Sequence, residues 1–307
     1  HAAPRLLHIR AAAFPGAGEI SPACTYCLPL VPAAGGWRPL LVNLSAILQR
    51  HDPDLILTSW GDSWLLPYLL ERAEALGLPL PLNRDPDCKI NHRPGKSYFS
   101  YGQVIYRDRQ VHLSGRWHID RRSAMLWDDY TLEGVLETAR VTGLPVQSAA
   151  RTSPGTGISS MQVVTALRRG VLVPWRKAEP EHFKRAADLF AADQGGLVYQ
   201  PLTGVHRDVG AIDFISMYPG IMVKFNISPE TAGAQAVEQA AQRARALACL
   251  ELPAQENASS ELGLVPQTLA PLLSKRVELK QRLSSLPRCD PRRKLYTARS
   301  SAHKWLL

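Results

Sequence analysis

Asp213 stands inside an apolar run, Ile212 to Ile215, and is followed at once by Ser216, Met217, Tyr218, Pro219 and Gly220. The run predicts the end of a buried strand, and Pro219 and Gly220 predict a sharp turn after it. A carboxylate in such a strand is costly to bury unless a cation compensates it. Two uses are open: the acid caps the helix that follows, or it is a Mg²⁺ ligand for phosphoryl transfer. The complementary charge lies further along. Arg276 and Lys280 are four apart, hence on one face of a helix. Tyr296, Ser300 and Lys304 repeat that spacing on the next helix, with Arg299 beside them. Two antiparallel helices with facing cations can hold a triphosphate, because each cation offsets charge that grows on the phosphates during transfer.

The 307 residues exceed one ordinary core and predict two domains. A hydrophobic share of 45% and a mean hydropathy of −0.14 describe a soluble globular chain. No apolar run approaches the ~18 to 20 residues of a membrane span, so no membrane partner is expected. Five cysteines, an odd number, argue against a disulfide scaffold and for a reducing, cytoplasmic setting. Cys24 and Cys27 form a lone Cys-x-x-Cys with no second pair at zinc-site spacing. His92, His112 and His118 are scattered and read as structural. The net charge is +9, and its placement matters more than its size: residues 264 to 307 carry ten Lys or Arg against Glu278 and Asp290. A basic end on a near-neutral body calls for a polyanionic partner, a nucleotide or a nucleic-acid backbone.

The elements that must position these residues read as follows. Leu40 to Gln49 has helical spacing, Asp54 to Trp60 reads as a buried strand, and Gly61 to Gly77 as a helix closed by glycine. Ser97 to Asp120 reads as a hairpin turning near Arg107 to Gln110. Leu132 to Ala139 is helical. Thr152 to Gly157 lacks the Gly-Lys-Ser/Thr of a phosphate loop and reads as a capped turn opening a helix to Arg168. Residues 171 to 182 read as a connector and Glu181 to Ala192 as a helix. Residues 232 to 250, rich in alanine, are predicted helical. A helix opening at Gly263–Leu264 and a last helix follow, separated by Pro287 and Pro291.

The stretch from Ile212 to Thr231 resembles the first palm motif of family B DNA polymerases, Asp-Phe-x-Ser-Leu-Tyr-Pro-Ser-Ile, with Gly220 in place of the last serine. Its end, Asn226-Ile-Ser-Pro-Glu-Thr231, resembles the family's continuation. Arg276-Val-Glu-Leu-Lys280 is similar to the family's fingers Arg-x-x-x-Lys, and Arg299 to Lys304 to the start of its second motif, Arg-Gln-x-Ala-Leu-Lys. The resemblance implies an α/β (α+β) fold, with an RNase H-like 3′–5′ exonuclease-type domain at 1–175. A connector and partial palm follow at 176–231, then helical-hairpin fingers at 232–307. It implies Asp213 as the catalytic Mg²⁺ ligand, joined by the Phe214 carbonyl, and backbone contacts from Ser216 and Met217 to the triphosphate. The resemblance also implies that Tyr218 lies under the sugar and that Arg276, Lys280 and Lys304 contact phosphates. Primer–template DNA and dNTPs are the implied partners.

The first half is similar to the family's proofreading domain in Asp52-Pro-Asp-Leu-Ile, Leu66-Pro-Tyr-Leu-Leu-Glu-Arg-Ala73 and Gly115-Arg-Trp-His-Ile-Asp120. The acids of that site are missing. Leu6 to Ala11 has none where the family has Asp-x-Glu, Trp64-Leu65 stand where it has Phe-Asp, and Tyr-x-x-x-Asp occurs nowhere. Exonuclease activity is therefore not expected, as in a lesser-known archaeal and bacterial group of the family. Asp193-Gln-Gly-Gly196 also departs from the family's Tyr-x-Gly-Gly. The motif Tyr-x-Asp-Thr-Asp, with its second metal-binding carboxylate, and the thumb are expected from a further region or a second polypeptide, so these residues alone are not expected to polymerise. A non-catalytic DNA-binding scaffold is the rival reading. A nuclease using Asp62, Asp128 and Asp129 is a third and requires those acids to cluster.

Overall fold

The computed structural model describes residues 6–12, 24–29, 36–100, 102–174, 183, 185–192, 199–231 and 262–307. Strand β1 (Leu6–Ala11) pairs antiparallel with β2 (Cys24–Pro29), Leu6 opposite Pro29. Helix α1 (Arg38–His51) begins with Pro39 in its first turn, where the missing N–H is not needed, and leads to β3 (Leu55–Thr58). A single wide turn, Gly61–Leu65, then runs into α2 (Leu66–Ala75). Next come β4 (Asn91–Arg93), β5 (Lys96–Ser100), β6 (Gln103–Arg107), β7 (Gln110–His112) and β8 (Trp117–Asp120). Helices α3 (Trp127–Thr142), α4 (Val146–Ala149), α5 (Pro154–Arg168), α6 (Ala186–Ala192), α7 (Met217–Lys224), α8 (Leu264–Ser285) and α9 (Arg292–Leu306) complete the described elements. The mixed α/β class is as the sequence leads one to expect.

Strand pairing departs from expectation at one place. The single hairpin over 97–120 is instead three pairings. β5 and β6 form a hairpin, and Gly102 just before β6 has φ +77°. β7 pairs with β4, and β8 lies parallel to β3. The chain near Asp108 is therefore the exit from one ladder into another, because β7 finds its partner upstream rather than in β6. The predicted helix over 232–250, the pair Gly195-Gly196 and most of the connector lie outside the described residues.

The chain divides into two compact units, 1–160 with 276–306, and 161–275. The first holds two apolar clusters. One gathers Leu40, Leu41, Leu44 and Leu48 of α1 with Leu66, Leu69 and Ala73 of α2 and Val111 of β7. The other joins Ile119 of β8, Tyr130 and Val135 of α3, and Ala298 and Ala302 of α9. Helix α3 is broken at Thr131 (φ 52°, ψ −163°), and Gly134 makes room for the break: a Cβ there would fall 2.2 Å from Tyr130 Cβ.

Candidate active site

In the second unit, Asp213 lies on irregular, exposed backbone, not on a buried strand: Ile212 is fully exposed and Phe214 76% exposed. A strand needs a partner ladder for its N–H and C=O groups, and none of the four described ladders includes residues 212–215. The turn that follows is as predicted. Ser216 takes a left-handed conformation (φ 53°) and its carbonyl accepts the Gly220 N–H at 2.8 Å, which launches α7. Pro219 falls in the first turn, where its missing N–H leaves no helical bond unmade, and Met217 and Tyr218 present theirs at the helix start. The helix ends when Asn226 turns left-handed and the Ile227 N–H returns to the Met222 carbonyl at 2.9 Å.

Residues 226–231 then clasp the start of α8. Asn226 Oδ1 accepts the Gly263 N–H at 2.7 Å, Ser228 Oγ accepts the Val265 N–H at 3.1 Å, and Glu230 Oε1 accepts the Leu264 N–H. Three of the orphan donors of a helix N-terminus are thus satisfied by one motif 37 or fewer residues upstream. Ser228 Oγ also donates to Glu230 Oε2 at 2.7 Å, and Arg169 lies 3.8 Å from Glu230. Burial raises the Glu230 carboxyl, but the Leu264 N–H and the Ser228 hydroxyl outweigh it and hold the group below the usual carboxylate range.

Among the cations of the first unit, Arg276 is buried on α8, whereas Lys280 on α8 and Lys304 on α9 are exposed. Helix α9 lies along α3, tied to the end of α8 through Arg293 Nη1, which donates to the Leu283 and Leu286 carbonyls at 2.6 and 2.8 Å. A buried carboxylate on α3, invisible to sequence reasoning, meets α9. Glu137 accepts from His303 Nε2 at 2.8 Å and from Arg140 Nη2 and Nε at 2.6 and 3.0 Å. Burial would raise the Glu137 carboxyl, but the His303 and Arg140 bonds hold it at about 2.

The first unit holds a second buried network. Asp62 is fully buried and receives Arg151 through two bonds, Nε–Oδ2 at 2.7 Å and Nη2–Oδ1 at 3.0 Å, plus the Val111 N–H at 2.9 Å. Arg151 also donates to the His118 and Gln147 carbonyls. His118 sits between Thr58 Oγ1 and the Val111 carbonyl, and desolvation pushes its imidazolium pKa down. Asp120, also fully buried, accepts the Trp60 and Asp62 N–H groups, and that fixes Trp60 in a left-handed conformation (φ 67°). Gly61 is required beside it: a Cβ there would fall 2.0 Å from Thr58 Oγ1. Asp128 and Asp129 are exposed on the first turn of α3. Among the described residues no three His, Cys, Asp or Glu side chains gather into a metal site. The nuclease reading that needed Asp62, Asp128 and Asp129 to converge is therefore set aside: the arginine has taken the oxygens of Asp62. Asp213 belongs to no such cluster among the described residues.

Beside Trp60 opens a cleft of about 260 Å³, lined on its other wall by the β5–β6 hairpin. Arg122 stacks over Trp60 at 5.5 Å and Arg107 over Tyr98 at 5.7 Å.

Residues 146–306 match the family model for DNA polymerase family B. The chain belongs to this family. Among curated relatives, DNA polymerase 1 of Pyrococcus abyssi is 27% identical over 315 residues, which cover 83% of this chain and 38% of that protein. A DNA polymerase of Thermococcus litoralis is 26% identical over 320 residues, 84% of this chain and 17% of its own length. The solved family B DNA polymerase of the hyperthermophilic archaeon Pyrobaculum calidifontis has the same fold, with a TM-score of 0.56 and 19% identity over 98% of this chain and 45% of that one. The chain thus spans less than half the length of these relatives.

For a family B chain, the described residues bring Asp213, Phe214, Ser216, Met217 and Tyr218 into one exposed turn and helix start, and place Arg276, Lys280 and Lys304 on two helices of the other unit. Leu65, half-buried, packs against the first apolar cluster, and the exposed Trp64 stacks on Tyr68 at 5.6 Å.

Proposed function

We propose that these residues are the exonuclease-like domain (1–175), the start of the palm (176–231) and the fingers (232–307) of a DNA-directed DNA polymerase. The observation that carries the reading is the clasp of Asn226, Ser228 and Glu230 on the first turn of α8. It ties the end of the stretch that resembles the first palm motif to the start of α8. In this reading Met217 N–H, with Ser216 before it, meets the triphosphate at the positive end of α7. Tyr218, 70% exposed, lies under the sugar and excludes a 2′-hydroxyl. Arg276, Lys280 and Lys304 neutralise the β- and γ-phosphates while the primer 3′-hydroxyl attacks the α-phosphate and pyrophosphate leaves. Asp213 and the Phe214 carbonyl are the groups of this chain that would hold Mg²⁺, with a second carboxylate from outside these residues, and the ion would supply further charge neutralisation.

The exonuclease-like domain is inactive in this reading. β1 carries no carboxylate, and both oxygens of Asp62 are engaged by Arg151. Support for the rival, a DNA-binding scaffold, comes from the cleft at Trp60 and Tyr98, since stacked rings with guanidinium groups suit unpaired bases and phosphates. Primer extension separates the two. With the intact polypeptide, extension that disappears in Asp213→Ala without primer shortening supports the polymerase. Salt-sensitive DNA binding with no extension supports the scaffold, and shortening overturns the inactive-nuclease reading.

A further inference from the structure

The apolar contact of α9 with α3 is built from Ala298 and Ala302, small side chains that allow close approach but do little to fix rotation about the helix axis. The directional contact on that face is polar. His303 is 1% exposed and donates to a Glu137 that is 4% exposed, at 2.8 Å. His303 Nδ1 has no hydrogen-bond partner among the described residues, so Glu137 alone holds the ring by a polar contact. Arg299, one turn before His303, approaches the same carboxylate at 3.9 Å, and Arg140 keeps it charged from its own helix. A buried carboxylate is a poor choice for packing alone, because apolar residues of similar volume fill such a site at no loss. What it adds is direction. His303 precedes Lys304 by one residue, about 100° of helical rotation, so fixing the imidazole fixes where Lys304 points.

We propose that Glu137 is a positioning residue for the phosphate-binding side chain Lys304, and that the exonuclease-like domain, without its nuclease acids, serves as the mount of the second-motif helix. The inference rests on the polymerase reading for the role of Lys304, but not for the fixing of α9.

The test compares Glu137→Ala, Glu137→Gln and a control, Val135→Ala, which opens a cavity in the same helix two residues away. In the intact polypeptide, Glu137→Ala raises KM for dNTP about tenfold with kcat little changed, the loss of one charge-assisted contact. It also speeds amide exchange across 292–306 while leaving α1 and α2 unchanged. Glu137→Gln keeps an acceptor for His303 Nε2 and restores both readouts to within about threefold. Val135→Ala lowers thermal stability without moving KM. An equal rise in KM for Val135→Ala, or unchanged exchange in Glu137→Ala, overturns the proposal. The arms separate the two readings: absence of primer extension by the wild type sinks the polymerase reading, while exchange across α9 still decides the role of Glu137.

Discussion

Arg151→Met strands a buried carboxylate. Asp62 has no exposed surface and the Arg151 side chain is 1% exposed, so solvent cannot replace the lost guanidinium. Asp62 would keep the Val111 N–H at 2.9 Å and the His118 ring at 3.5 Å, and the His118 and Gln147 carbonyls would each lose a donor. Breaking such a pair from one side costs about 3–5 kcal/mol, a large part of the ~5–15 kcal/mol that holds a domain together. Asp62→Leu alone should cost a similar amount, since it leaves the guanidinium buried without a counter-ion. The double variant removes both charges; the Val111 N–H loses its acceptor and the His118 and Gln147 carbonyls each lose a donor, with the unpaired N–H costing about 1–3 kcal/mol. The two single losses therefore should not add: the double variant should be more stable than either prediction by addition by about 3 kcal/mol or more. Urea unfolding followed by circular dichroism reads all four species. Additive losses, or single losses below about 1 kcal/mol, would show that Asp62 and Arg151 are not the buried pair described.

Glu137, held at about 2 against an ordinary 4.5, contributes about 3 kcal/mol that is fully present above pH 4.5 and is lost as pH falls toward 2; unfolding of wild type should steepen over that window and Glu137→Gln should flatten it. Ser228→Ala and Glu230→Ala each remove a cap from α8 and should lower stability by about 1 kcal/mol, read by thermal melting, with equal stability refuting the clasp. Gly61→Ala forces its Cβ within 2.0 Å of Thr58 Oγ1 and should destabilise by at least about 1–3 kcal/mol; a neutral result would mean the turn is more open than described. Trp60→Ala and Tyr98→Ala should each weaken binding of single-stranded oligonucleotide by roughly 1–3 kcal/mol if the cleft holds unpaired bases, read by anisotropy at fixed salt.

Local order was legible where a local cause sets it. Helix α8 begins at Leu264 and α9 at Arg292, as glycine, proline and leucine spacing require, and α2 follows Gly61 as expected. The candidate residues were named from one motif and two helical spacings, and primer extension by their variants is what tests them. Long-range pairing was not legible. Asp62 and Arg151 are 89 residues apart and Glu137 and His303 are 166 apart, and nothing in either neighbourhood marks its partner. Arg151 after Ala149-Ala150 and His303 after Ala302 are polar residues bordering small apolar ones, the one signal that could have raised the question. The hairpin turn was misplaced because Asp108 resembles a turn residue while β7 answers to β4. The strand expected at 212–215 failed for the same physical reason: alternation and apolarity make a strand possible, but a partner ladder makes it real.

Primer extension by the intact polypeptide that contains these residues, wild type against Asp213→Ala with Mg²⁺ and dNTPs, tests the central claim most directly. Extension by wild type and its loss by about a hundredfold or more in the variant is the predicted result, the scale on which removal of a residue acting only in the transition state is felt. Equal extension by both proteins, or none by wild type alongside intact DNA binding, would contradict it.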